Sequence, residues 1–98
     1  MMEVSSEGIS TRHGNVVRWT EICALHATEV DTMTGSVTIL QFEHESGHYI
    51  EIDETDVAYM KVMDRLASFL PLGKQWINNV HGLEPGTGTT IWTRGCDG

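Results

Sequence analysis

Between residues 40 and 70 the polar and apolar positions change their period once. Leu40, Phe42 and His44 alternate with Gln41 and Glu43, and His48, Ile50 and Ile52 alternate with Tyr49 and Glu51. A period of two sends successive side chains to opposite faces of a strand. The intervening Glu45-Ser46-Gly47 ends in glycine, which suits a type I turn closed by a residue of positive φ. That turn predicts a register with His44 opposite His48, Phe42 opposite Ile50 and Leu40 opposite Ile52. One face of the hairpin is then mainly apolar. The other, with Gln41, Glu43, Tyr49 and Glu51, is mostly polar.

From Asp56 the period becomes helical. Lys61, Asp64, Arg65 and Ser68 share one side, and Tyr59, Val62, Met63, Leu66 and Leu70 share the other, with Ala67 and Phe69 at the margins. This predicts one long amphipathic helix over Asp56–Leu70, laid across the hairpin's apolar face. Asp53 or Thr55 can cap its free amides, Glu54 and Asp56 suit the positive end of its dipole, and Pro71 cannot continue its ladder.

The flanking segments extend this unit. Residues 1–11 are polar and aperiodic, and are expected to be a disordered N-terminal tail. Val16–Trp19 reads as a short strand. Ile22–Val30 reads as a longer strand with apolar residues on both faces, hence an interior one. Ala24 and Ala27 are weak strand formers, so a helix over Trp19–Ala27 competes with that reading. Asp31–Gly35 reads as a hairpin loop returning through Ser36–Ile39. Leu72–Val80 predicts a short second helix with Trp76, Ile77 and Val80 on one side, and Thr89–Thr93 a last strand. Residues 95–98 read as a flexible tail. The expectation is a single α+β domain over 12–94: a four- to five-stranded, mostly antiparallel sheet, one long helix packed on it and a short second helix.

Composition narrows the function classes. A chain of 98 residues buries roughly 65% of its unfolded surface, enough for one core. No apolar run approaches the ~20 residues that cross a bilayer, and Met1–Glu7 lacks the charged and apolar regions of a signal peptide, so a cytoplasmic protein is expected. Fourteen acidic and six basic residues give a net charge of −8, and the bases are scattered. Such a surface is a poor partner for nucleic acid or anionic membrane and suits a basic protein. Cys23, inside an apolar run, and Cys96, in a glycine-rich tail, do not suggest a disulfide framework.

Gly14-Asn15-Val16-Val17-Arg18-Trp19-Thr20-Glu21-Ile22 opens a strand meander that ends in the Tyr59–Leu70 helix. This resembles small uncharacterised bacterial proteins of pleckstrin-homology-like type, in which a Trp-x-Glu/Asp-Ile step begins the strands and a helix closes them. Trp76 and Ile91-Trp92 resemble the extra helix and last strand of some members. The resemblance spans Arg12 to Arg94. It implies a partial barrel and a binding or scaffold module, with no catalytic residues to carry over. The chain departs from the family in having room for fewer strands before its helix. It also lacks basic residues in Asp31–Gly35, so phosphoinositide binding is not implied.

Two sites are worth testing. Opposed hairpin positions lie ~5 Å apart at their β-carbons, close enough for His44 and His48 to reach one metal ion. A closed zinc site wants four ligands, so a third such as His26 must come from the tertiary fold. The simpler reading is that both histidines end the core face at the sheet rim. Separately, the uncharged last strand and the apolar Trp76, Ile77, Ile91 and Trp92 predict an interface for a homodimer. The carboxylates at 51, 53, 54 and 56 are explained by a strand end and a helix start. Ser46 lacks the setting of a nucleophile, and Gly86–Thr90 lacks the lysine of a phosphate loop. With no catalytic residue and no cofactor expected, the preferred function is a non-catalytic protein-binding or accessory module, immunity-like in neutralising a basic partner. The alternative is a metal-binding protein or metal-dependent enzyme built on His44 and His48.

Overall fold

The computed structural model describes residues 2–11 and 14–94. Their strands are β1 (Glu3–Val4), β2 (Gly8–Ser10), β3 (Val16–Arg18), β4 (Ile22–Thr32), β5 (Gly35–His44), β6 (Tyr49–Asp53) and β7 (Gly88–Thr93). The helices are α1 (Tyr59–Leu66) and α2 (Trp76–His81), and a single 3-10 turn, Trp19–Glu21, leads into β4. The strands form two antiparallel sheets, β1-β2-β3 and β6-β5-β4-β7, so the chain is α+β. These are two open sheets, and the expected pleckstrin-homology-like partial barrel does not form.

The central hairpin has the register its turn demands. Leu40 pairs with Ile52 and Phe42 with Ile50, His44 donates its amide to the His48 carbonyl at 2.8 Å, and Gly47 takes a φ of +92°. β4 is an interior strand, with β5 on one side and β7 on the other. Leu25 stands opposite Phe42 and Ala27 opposite Leu40, all fully buried. The competing helix over Trp19–Ala27 survives only as the one 3-10 turn.

The long helix is shorter than its periodicity suggests. Only Tyr59–Leu66 is α-helical, though Tyr59, Val62, Met63 and Leu66 are the buried face that the spacing marks out. At the front, the Asp53 carboxylate accepts the Thr55 amide and the Asp56 carboxylate accepts the Ala58 amide, each at 2.8 Å. These local turns compete with the helical ladder for the same amides. At the rear, Ser68 and Phe69 bond three residues back, to Arg65 and Leu66, which tightens the chain before Pro71.

The N-terminal stretch is also ordered differently from its composition. Residues expected to be a disordered tail form β1 and β2, and Val4 and Ile9 enter the same core as α1 and the hairpin. Gly8 makes this pairing possible. A β-carbon there would lie 1.9 Å from the Val17 carbonyl oxygen, so only glycine lets β2 approach β3 so closely. Trp19 closes the same end, stacking on Phe69 at 5.6 Å and donating its indole N–H to the Ser5 carbonyl at 2.7 Å. Cys23 is buried in β4 and is not a free thiol. Cys96 and the expected tail at 95–98 lie outside the described residues. No helix among the described residues is long and apolar enough to cross a membrane.

Candidate functional site

Alternation along β4, β5 and β6 builds the outer face of the four-stranded sheet. Because Leu25, Ala27, Leu40, Phe42 and Ile52 turn inward, His26, Thr28, Gln41, Glu43, Tyr49 and Glu51 turn outward. Thr90 joins them from β7. A groove of about 440 Å³ lies over this face, lined by His26, Thr28, Gln41, Tyr49, Gly88, Thr89 and Thr90 among others.

Two chains of hydrogen bonds order the groove. In the first, His26 reaches Thr90 Oγ1 through Nδ1 at 2.9 Å and Glu43 Oε1 through Nε2 at 3.0 Å. A carboxylate can only accept, so His26 carries a proton on Nε2 and gives it to Glu43. Tyr49 donates its hydroxyl to the same oxygen at 3.4 Å, and its ring lies 6.2 Å from the imidazole. In the second, Thr28 donates to Gln41 Oε1 at 2.9 Å, and Gln41 Nε2 donates to Glu51 at 2.7 Å. Tyr49 is 54% exposed and pairs with Glu43 at the groove's edge.

The expected metal pair takes a different form. His44 and His48 face one another in the hairpin, but the ligand atoms that come within 4.8 Å of one another belong to Glu21, His44 and Glu45. His26 is engaged on the outer face and is not part of that group. His44 Nε2 meets Glu21 Oε2 at 3.0 Å, while Nδ1 receives the Ser46 amide at 3.1 Å and lies 2.8 Å from its hydroxyl. A backbone N–H only donates, so the ring proton sits on Nε2 and is given to Glu21. That bond, with a second from the Arg18 amide at 3.3 Å, holds the Glu21 carboxyl below the usual carboxylate range. A metal at Nε2 would have to displace this proton and break the bond, so the group is built as a hydrogen-bonded pair.

The expected interface residues also divide. Trp76 is only 4% exposed and belongs to the core, and Ile91 and Trp92 pack against it half-buried. Ile77 alone of the four is exposed, at 38%. Trp76 cannot line a docking surface because α2 turns it inward together with Val80.

Comparison with family models, curated proteins and solved structures found no match. Sequence reasoning reached His44 and the polar set on β5 and β6, but missed Glu21, Glu43 as the partner of His26, and Thr90. These partners lie 23, 17 and 64 residues from the histidines they bond. Their only signal in the sequence was strand parity.

Proposed function

We propose that the protein is a non-catalytic binding module whose outer sheet face receives a cationic side chain, Lys or Arg, from a basic protein partner. The observation that carries this reading is the exposed Tyr49 ring set beside Glu43 and Glu51 on a grooved face. An ammonium or guanidinium is attracted to the face of an aromatic ring and gains further from a carboxylate at its edge. The net charge of −8 steers such a partner inward. An immunity-like role, in which the module neutralises a basic protein, is the biological form this takes. Pairing of two copies through the uncharged strand β7 belongs to the same reading.

The test is fluorescence anisotropy with a labelled Lys/Arg-rich peptide and a neutral peptide of the same length. Binding of the basic peptide alone, weakened by salt and by Tyr49→Ala or Glu43→Gln, supports the module. Equal binding of both peptides, or no effect of either substitution, overturns it.

The alternative is metal binding at the hairpin rim, by Glu21, His44 and Glu45 in place of the pair His44 and His48. What supports it is the convergence of their ligand atoms. Metal content of the purified protein, compared between wild type and His44→Ala, decides it.

A further inference from the structure

His26 and His44 each bond a carboxylate through Nε2, and they differ at the other ring nitrogen. His44 Nδ1 receives the Ser46 amide at 3.1 Å, an N–H that can only donate, although the Ser46 hydroxyl also lies at 2.8 Å. A second proton on that ring would face the amide hydrogen and cost the bond. His26 Nδ1 meets only a hydroxyl, that of Thr90, at 2.9 Å. A hydroxyl both donates and accepts, so Thr90 gives its hydrogen to the neutral ring and can take one from the charged ring. His26 can therefore gain a proton with every heavy atom left in place. Its side chain is 25% exposed, so solvent reaches it.

What the proton changes is the charge of the groove. His26 Nε2 bonds Glu43 at 3.0 Å, and the imidazole lies 6.2 Å from the Tyr49 ring, whose hydroxyl donates to the same Glu43 oxygen. From β6, Glu51 and Asp53 share the parity of Tyr49 and add only acids. β7 holds no ionisable side chain, and Glu29 and Asp31 of β4 fall on the opposite parity from His26. Among the described residues of these four strands, His26 is thus the base set among the acids of the outer face. Once protonated it is itself a cation beside Glu43 and Tyr49, the groups to which a partner's Lys or Arg would be drawn.

We infer that His26 is an internal competitor for the cation-recognition groove, so that a basic partner binds at neutral pH and is released on acidification. Such release presupposes the cation recognition proposed above for the same face. A proton taken up at Nδ1 puts a full positive charge on the ring that bonds Glu43. An incoming ammonium or guanidinium then meets a carboxylate already paired and a like charge at its side. Linkage makes the effect reciprocal: a bound cation must hinder protonation of His26 by the same factor. Imidazoles in general change charge between about pH 5 and 8, which sets the window.

The experiment is fluorescence anisotropy of the full chain with a Lys/Arg-rich peptide, acetylated and amidated so that its own charge stays fixed. Affinity is compared at about pH 7.5 and about pH 5.5, on either side of the imidazole range, at one ionic strength. Binding should weaken about fivefold on acidification, a partly solvated charge–charge coupling. His26→Gln, which keeps an N–H for Glu43 but cannot be charged, should lose most of that ratio whatever its affinity at neutral pH. His44→Gln should keep it. Charge gained at the other histidines would weaken attraction in wild type and in His26→Gln alike, so a fall that persists in His26→Gln overturns the inference. Equal affinity at both pH values overturns it too, and leaves the cation reading standing. Binding at neither pH removes both. A second readout needs no variant: NMR titration of the His26 imidazole should shift to lower pH when the peptide is bound, and a titration left unmoved by bound peptide overturns the competition. Circular dichroism confirms that His26→Gln folds; if it does not, the imidazole titration of the wild type decides.

Discussion

Thr38 stands directly across from Glu29 in the β4–β5 pair and gives its hydroxyl to that buried carboxylate at 2.8 Å. Thr38→Val keeps the shape and removes the donor. An acceptor left unsatisfied in a buried setting costs about 1–3 kcal/mol, so urea unfolding of this variant should show a loss of that size. A change within error would mean that Glu29 is held by something other than Thr38.

Gly8 and Gly47 both have positive φ but differ in their surroundings. A side chain at Gly8 meets the Val17 carbonyl, whereas nothing lies within 4 Å at Gly47. Gly8→Ala should therefore cost at least about 2 kcal/mol, through strain and overpacking of β2 on β3. Gly47→Ala should cost about 1 kcal/mol, the backbone term alone. Denaturant midpoints of the two variants check the order.

Ile9 is fully buried in a segment whose composition reads as a tail. Ile9→Ala should destabilise the whole domain by about 2–5 kcal/mol, the range for emptying a core position. If the first strands were incidental, the midpoint would hardly move.

What was legible in the sequence was local. The hairpin register follows from a period of two and from Gly47, and the buried face of α1 follows from spacing at Tyr59, Val62, Met63 and Leu66. The length of α1 was not legible, because the Asp53 and Asp56 side chains bond nearby amides and hold the chain in turns. β1 and β2 were illegible for another reason. Strands of two and three residues hold too few positions to show a period, and their pairing depends on the close approach that Gly8 allows. The site was half legible: parity sent Glu43, Tyr49 and Glu51 to the polar face, but nothing local joined His26 to Thr90 or His44 to Glu21.

The bond from His44 to Glu21 sets a pH dependence. The Glu21 carboxyl lies below its ordinary value of 4.5 in the fold, through the His44 hydrogen bond first and the Arg18 amide second. The folded state thus binds this proton less readily than the unfolded chain. Its contribution is present above about 4.5 and is lost as pH falls through the lowered folded value. Asp53, lowered from 3.8 chiefly by the Thr55 hydroxyl, acts in the same direction at lower pH. Unfolding midpoints should fall on acidification below pH 4.5. His44→Phe should flatten the upper part of that slope and leave the part due to Asp53.

The central claim is that the outer face of the four-stranded sheet recognises a cationic side chain. Its most direct test is an amide-resolved NMR titration of the labelled protein with a Lys/Arg-rich peptide. Shifts concentrated at His26, Gln41, Glu43, Tyr49, Glu51 and Thr90, saturating together and abolished by Tyr49→Ala, are expected. Shifts confined to α1, α2 or the three-stranded sheet, or none at all, would contradict it.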